Sequence, residues 1–192
     1  AEIGADEQLV RAGGMFHDVG KLFRPDFFIE NRDTEQSENP HDALDELQST
    51  RVLHGHVAKG IERAREEKLP EAVIRFIPEH HGTTYPAYFY RRALEKDPNI
   101  EQSKFRYPGP APRSRETALV MIADGCEAAV RASSNRSSDQ VLAIVKSIIR
   151  DRLEDGQFDI ISQTSEVPGD AWTDYLPESA VLKSDWKNLG CG

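Results

Sequence analysis

Cysteine is scarce in this chain of 192 residues, where only Cys126 and Cys191 occur. Cys126 lies in an apolar stretch with helical periodicity and Cys191 stands beside the C-terminal residue, so their positions indicate no disulfide framework. This usage excludes a small disulfide-stapled domain and favours a reducing, cytoplasmic setting. Long apolar runs are also missing. No run approaches the roughly 20 residues that span a bilayer, and no signal peptide is visible.

Basic residues are outnumbered, with 24 Lys and Arg against 33 Asp and Glu and a formal net charge of −9. The chain therefore has no basic field that collects the phosphates of a DNA or RNA polymer, which excludes a non-specific nucleic-acid binder. An acidic protein still binds a small phosphate ester where bound metal ions dominate the local field. Because the sequence begins with Ala-Glu-Ile-Gly and no Met, we expect it to be a piece of a longer protein.

The apolar periodicity is helical along most of the chain, and no convincing strand alternation appears before the C-terminal tail. Asp6 and Ser114 are predicted N-caps, and Pro78 is expected to disturb the last turn of its helix. After Gln157 the periodicity fades. We therefore predict one all-α domain over residues 1–157 and a tail of uncertain structure over 158–192. The predicted helices cover residues 6–16, 43–68 with a break near Asp45, 70–81, 87–96, 114–133 and 139–154.

The sharpest chemical signal is the pair His17-Asp18, followed by a glycine turn and Lys21. The pair offers a neutral nitrogen donor and an anionic oxygen donor at a predicted helix end. The two oxygens of the carboxylate can also bridge two divalent ions. A His-Asp dipeptide is common, however, and taken alone a solvated turn is the better interpretation.

A second signal is Glu79-His80-His81-Gly82 at the end of a predicted helix. Adjacent helical side chains diverge by about 100°, so both rings reach one centre only if it lies close to the helix end. The alternative is a surface pair that interacts with the last helix carbonyls.

Three further histidines and one aspartate remain to be interpreted. His54 and His56 point about 200° apart on a helix, so they can hardly serve the same ion, and periodicity does not choose between them. Asp124 follows the apolar run of residues 118–123, where a carboxylate is costly unless a cation or hydrogen bonds compensate it. An ion pair with an arginine is the alternative for Asp124. His41 lies in a predicted loop and receives no ligand role.

Together, the ordered series His-Asp, His, His-His and Asp resembles the HD-domain superfamily, whose helices hold one or two divalent metals for phosphoester hydrolysis. The surrounding sequence is similar, in order and over nearly all of residues 1–157, to the cytoplasmic HD domain of seven-transmembrane cyclic-di-AMP phosphodiesterases of the PgpH type. The motifs that carry this resemblance include Met15-Phe16-His17-Asp18-Val19-Gly20-Lys21, His80-His81-Gly82-Thr83, Phe105-Arg106-Tyr107-Pro108-Gly109-Pro110, Ala123-Asp124-Gly125-Cys126-Glu127 and Arg150-Asp151-Arg152-Leu153-Glu154-Asp155-Gly156-Gln157.

The resemblance implies an HD-type helical bundle that holds two divalent ions, with iron or manganese favoured over zinc. It selects His56 over His54, and it implies that Asp18 bridges the two ions. The family also has a histidine upstream of Ala1, so we expect the ion site with His17 and Asp124 to be one ligand short and weak in this chain. The implied ligands are His17 and Asp124 for one ion, His56, His80 and His81 for the other, and Asp18 for both.

The implied substrate is cyclic-di-AMP, opened to a linear diadenylate by a water that the two ions activate. Asp18 and Lys21 are the predicted catalytic residues, and Lys21 is expected to stabilise charge on phosphate oxygens. Two of the predicted contacts have an alternative interpretation. Thr83 could instead cap the following helix, and Tyr107 could instead pack within a rigid loop. The predicted substrate-binding residues are Lys21, Thr83, Arg106 and Tyr107.

The resemblance further implies a membrane anchor in the full-length protein, with this domain on the cytoplasmic side of a bacterial inner membrane. Two other functions compete with the predicted one. The first is another HD phosphohydrolase that acts on cyclic-di-GMP or on a mononucleotide, and substrate preference distinguishes it. The second is a non-catalytic signalling module that binds the dinucleotide, and metal stoichiometry distinguishes that one.

Overall fold

The computed structural model describes residues 4–32 and 38–164, with side chains described as far as residue 161. Over these ranges the chain is helical and has no strand, which confirms the predicted all-α class. Short 3-10 turns lie between α1 and α2 and in the loop before α6. The α-helices are α1 (Glu7–Phe16), α2 (Glu46–Glu66), α3 (Glu71–Ile74), α4 (Phe76–Glu79), α5 (Ala87–Lys96), α6 (Arg115–Ala132), α7 (Ser138–Glu154) and α8 (Asp159–Thr164).

Polar side chains fix the beginnings of the long helices, as the sequence predicts. The Asp6 carboxylate accepts hydrogen bonds from the first backbone amides of α1, and Ser114 caps α6. Asp45 caps α2 and forms a capping box with Gln48. The break predicted near Asp45 is therefore the start of α2.

Pro78 interrupts a helix one turn earlier than the sequence analysis predicts. The helical segment after Pro70 divides at Arg75 into α3 and α4, and the α4 turn that contains Pro78 stays helical. Proline has no amide hydrogen to donate to the carbonyl four residues back, here that of Ile74, and its ring clashes with that carbonyl. The disturbance therefore falls at the preceding turn, and α4 is free to end at the histidine pair.

Three apolar clusters hold the helices together. One lies around α2 and the α3–α4 segment with Tyr107, and a second joins α5 to Phe105. The third joins α6 and α7 and continues into α8 through Phe158 and Ile161, which are 1% and 2% exposed. The buried core thus reaches at least to Ile161, while the division of the chain at residue 157 stays a prediction. Residues 165–192 of the predicted tail lie outside the described residues.

The turn after Asp18 lies directly on α2, because two glycines meet there. A Cβ atom added to Gly20 would lie 1.8 Å from the backbone oxygen of His56 and 2.5 Å from the backbone nitrogen of Gly60. No side chain fits into that gap. The close approach fixes the position of Asp18 relative to α2 and its His56.

Within the described residues, no helix has the length and the apolar character that a membrane crossing requires.

We expect Gly20→Ala to destabilise the fold by about 2–3 kcal/mol, because the added methyl group forces the turn away from the α2 backbone. Chemical denaturation followed by circular dichroism measures the change. Gly55→Ala is the matched control. Gly55 lies on α2, the helix that Gly20 contacts, its added Cβ meets no atom within 4 Å, and helix propensity favours alanine by up to about 1 kcal/mol. Equal stabilities for the two variants would contradict the predicted close packing.

Candidate metal centre

Five side chains from separate parts of the sequence converge on the carboxylate of Asp18. Asp18 belongs to two groups of potential metal ligands, and within each group the candidate ligand atoms lie within 4.8 Å of one another. The first group adds three histidines to Asp18, and the second adds one histidine and one aspartate. The members are Asp18, His56, His80 and His81 in the first group, and His17, Asp18 and Asp124 in the second.

Helix ends place most of these ligands. His17 is the C-cap of α1, Asp18 follows it, and His80 is the C-cap of α4. His80 is the half-helical residue at the end of α4 and His81 lies beyond it, so the divergence of about 100° between neighbours within a helix does not fix the directions of this pair. Their ring centroids are 3.9 Å apart, and both side chains reach the same centre. The expectation that such a pair needs a centre close to the helix end is met.

Backbone carbonyls orient three of the imidazole rings. The Nδ1 atoms lie 2.7 Å from Gly14 O for His17, 2.5 Å from Leu53 O for His56 and 2.7 Å from Ile77 O for His80. A carbonyl only accepts, so Nδ1 must carry the proton and donate. In His56 and His80 the Nε2 lone pair is then directed at Asp18. This is the usual arrangement of metal-binding histidines.

The lone pairs that meet at Asp18 have no hydrogen-bond partner among the described residues. Asp18 Oδ1, His56 Nε2 and His80 Nε2 are all buried and unpartnered, and each Nε2 is 3.5 Å from Asp18 Oδ1. Acceptors that face one another in a buried space repel and lose their hydration, which costs free energy. A divalent cation satisfies all three at once. The residues present therefore fit a metal ion, and this cluster can hold one.

The histidines of this cluster differ in their protonation. Burial disfavours the charged ring of His17, yet the carboxylates of Asp124 and Asp18 outweigh it and raise the pKa of His17 to about 10. Burial lowers the pKa of His56 to about 4, and burial also lowers the pKa of His81. One proton on His17 thus balances part of the carboxylate charge near neutral pH, while His56 and His81 are already neutral.

Lys21 lies at the edge of the centre. Its Nζ is 2.5 Å from Asp18 Oδ2, and it also pairs with Glu30. Burial opposes the charge, but Asp18 and Glu30 raise the pKa of Lys21 above its ordinary value, so the side chain stays cationic. The geometry puts a positive charge beside the ligand that both groups share. The predicted catalytic role of Lys21 stays a prediction.

The other predicted substrate-binding residues surround the turn that carries His80 and His81. Gln157 accepts from the Thr83 amide at 3.0 Å and donates to Thr83 Oγ1 at 2.8 Å. Arg106 donates to both carboxylate oxygens of Asp155, at 3.0 and 2.6 Å, and to Thr83 O at 2.7 Å. Tyr107 is buried and stacks on His81, with ring centroids 4.2 Å apart.

These bonds favour packing roles for all three residues. The N-cap of α5 is Pro86, so Thr83 does not cap the following helix, and its hydroxyl is engaged by Gln157. Tyr107 packs in the way its alternative interpretation expects. The substrate contacts of Thr83, Arg106 and Tyr107 stay predictions.

The two remaining histidines lie apart from the cluster. His54 Nε2 is 3.1 Å from Phe105 O, and His41 Nε2 is 3.0 Å from Phe27 O. Neither belongs to a group of potential metal ligands. The structure thus brings His56 into the cluster and places His54 and His41 outside it, while the assignment of the metal ligands stays a prediction.

Two residues that position the His80-His81 pair are not predicted from the sequence. Glu79 is only 2% exposed and accepts from Arg113 N at 2.9 Å and from Thr117 Oγ1 at 2.7 Å, which ties the end of α4 to the start of α6. Gln157 is 1% exposed and joins the end of α7 to the histidine turn. Adjacency to His80 is the only sequence signal for Glu79, and Gln157 has none beyond its place after a glycine helix stop.

A helical bundle whose histidines and aspartates converge on one shared carboxylate defines a class of metal-binding domains. The HD domain family model matches residues 1–129, and the chain belongs to that family.

Two relatives and one solved structure show how similar the chain is to individual proteins. The chain is 41% identical over 157 residues to the cyclic-di-AMP phosphodiesterase PgpH of Listeria monocytogenes, and 40% identical over 156 residues to the PgpH of Bacillus subtilis. These matches cover 82% and 81% of this chain but only 22% of each relative. The crystal structure of the Listeria PgpH HD domain in complex with cyclic-di-AMP matches with a TM-score of 0.77 at 40% identity, over 83% of this chain and 72% of that one.

Asp18→Ala is expected to remove metal binding from both ligand groups, because Asp18 is the residue they share. Helical content should stay close to that of the wild type. Metal analysis of the purified protein and circular dichroism measure the two effects. His54→Ala is the control, since its ring bonds to Phe105 O outside the cluster, and it should keep its metal. Metal loss in His54→Ala would mean that the wrong histidine has been chosen.

Metal binding by the group with His17 is expected to strengthen as pH rises. The ring must lose its proton to bind, and the pKa of His17 is about 10, so the apparent affinity should increase about tenfold per pH unit between roughly pH 7 and 9. Calorimetric titration in two buffers of different ionisation enthalpy counts the released protons, and we expect about one per chain from His17. His17→Ala should lack this proton, so an unchanged release would refute its origin.

Proposed function

We propose that this domain is a metal-dependent phosphodiesterase that opens a cyclic dinucleotide, cyclic-di-AMP in particular, to a linear dinucleotide. The observation that carries the proposal is the pair of ligand groups joined by one carboxylate. Two cations bridged in this way are a recurring arrangement for displacement at phosphorus. The relatives support the identity of the substrate, because they are cyclic-di-AMP phosphodiesterases at 40–41% identity and the HD domain of one of them is solved with that dinucleotide.

The proposed cofactor is a pair of divalent ions. His56, His80 and His81 would hold one, His17 and Asp124 the other, and Asp18 both, each through atoms that already face the centre. A mixed set of imidazole and carboxylate ligands suits iron or manganese, with zinc also accommodated. When bound, the ions supply Lewis acidity and lower the pKa of a coordinated water.

The side chains around the ligands would handle the substrate. Lys21 presents an ammonium group beside Asp18, where it can stabilise the charge that develops on non-bridging phosphate oxygens. The Asp18 and His81 side chains are 27% and 19% exposed, so part of the centre is accessible to a ligand, while His56 and His80 stay buried. The His81 ring is held by its stacking on Tyr107.

The domain is proposed to act inside a larger protein. The chain spans 22% of the length of the two PgpH relatives, which leaves most of such a protein outside it. We propose that the whole protein is anchored in a bacterial inner membrane and exposes this domain to the cytoplasm, where cyclic dinucleotides occur. The net charge of −9 supports a small-molecule substrate over a DNA or RNA polymer. Membrane fractionation of the full-length protein tests the anchor.

The activity test incubates manganese-loaded protein with cyclic-di-AMP, cyclic-di-GMP, an adenine mononucleotide or a short RNA, and follows the products by chromatography. We expect a linear diadenylate from cyclic-di-AMP and slower turnover of the others. His80→Ala should lower the rate by about 100-fold or more, because it removes a ligand from the centre. His54→Ala should retain most of the activity.

Three outcomes would overturn parts of the proposal. Preference for a mononucleotide or for RNA would refute the substrate class, and preference for cyclic-di-GMP would refute the base. Tight binding of cyclic-di-AMP by metal-loaded protein without any hydrolysis would identify a non-catalytic binding module.

A further inference from the structure

A row of charged side chains extends from the metal centre to the far end of α6. Lys21 pairs with Asp18 on one side and with Glu30 on the other, and the second oxygen of Glu30 is 3.3 Å from Arg131 Nη1. Arg131 also pairs with Glu127, one helical turn back on α6. Glu30 is thus a single carboxylate held between two cations that come from different elements, the turn after α1 and the helix α6.

The Arg131 side chain runs back along α6 and contacts Glu30 and Glu127. It follows Asp124 by two helical turns, and side chains on a helix lean towards its N-terminus, which here is the direction of Asp124. Only 32% of its side chain is exposed, and its Nε is buried without a hydrogen-bond partner among the described residues. A guanidinium with a spare buried donor beside an anionic ligand site has capacity for a further acceptor.

The carboxylate of Glu30 occupies the kind of position that a phosphate fills. Lys21 and Arg131 each address one of its two oxygens, and two non-bridging phosphate oxygens accept from such a pair of cations in the same manner. Glu30 itself is 29% exposed in a short 3-10 turn, so its side chain has room to turn away. A second anion cannot share the place, because two negative groups at this distance repel.

We propose that Arg131 is a substrate-binding residue that, with Lys21, receives a phosphate of the cyclic dinucleotide, and that Glu30 holds the two cations in position until this phosphate displaces it. The inference rests on the proposed function and adds to it a phosphate-binding pair and an internal competitor. Removal of Arg131 then weakens substrate binding, whereas removal of the Glu30 charge strengthens it. A purely structural ion pair predicts the opposite for Glu30, because its loss would loosen both cations.

The test measures binding of the hydrolysis-resistant bis-phosphorothioate analogue of cyclic-di-AMP to manganese-loaded protein by calorimetry. We expect Arg131→Gln to raise the dissociation constant by roughly 10- to 100-fold, with partial recovery in Arg131→Lys. Glu30→Gln should lower the dissociation constant by about threefold or more. In the Arg131→Gln background, Glu30→Gln should change the dissociation constant less, because Glu30 then competes with the phosphate only at Lys21.

Steady-state kinetics and two controls complete the design. Arg131→Gln should raise KM more than it lowers kcat, since the contact serves binding. Arg65→Gln on α2 removes the same charge from an exposed arginine that pairs with Glu71, and should leave binding unchanged. Thermal unfolding and metal content verify that each variant is folded and loaded.

The outcomes separate the two proposals. If the wild type binds and hydrolyses the dinucleotide but Arg131→Gln binds as tightly, or Glu30→Gln binds more weakly, the inference about Arg131 and Glu30 is wrong while the proposed function stands. If the folded, metal-loaded wild type neither binds the analogue nor hydrolyses the substrate, both are wrong.

Discussion

The structure depends on a set of lone pairs that face one another in a buried space. Asp18 Oδ1 and the Nε2 atoms of His56 and His80 meet without a proton donor between them. The protein imposes this arrangement through carbonyl groups that fix the imidazole rings and through the turn at Gly20 that lies on α2. Such an arrangement is costly without a cation and favourable with one, so metal affinity and fold stability are linked.

Local signals in the sequence account for the helices. The caps at Asp6 and Ser114 and the apolar periodicity predict elements that the structure confirms to within about two residues, as expected for helix boundaries. Pro78 is the instructive exception, because a proline removes a hydrogen bond to the preceding turn and so interrupts the helix at Arg75. The segment after Gln157 has weak periodicity, since α8 is short and, among residues 158–161, Phe158 and Ile161 are the ones that belong to the core cluster.

The sequence predicts the residues of the metal cluster only when they are taken together as an ordered pattern. Helix geometry alone leaves His54 and His56 open, and the family resemblance decides between them. No local signal shows that Glu79 is buried against Thr117, or that Arg106 forms an ion pair with Asp155, because these partners are 38 and 49 residues apart. Contacts of that kind arise from the packing of helices, and they explain why Arg106, a predicted substrate-binding residue, lies in structural hydrogen bonds.

The two hydrogen bonds between Gln157 and Thr83 link parts of the domain that are remote in sequence. Gln157 is followed at once by Phe158, which is buried between α6 and α7. The Gln157 side chain and the Phe158 ring are neighbours along the backbone, so a displacement of α8 would strain the turn that carries His80 and His81. A force or a partner that acts on α8 would therefore be transmitted to these ligands through Gln157 and Thr83.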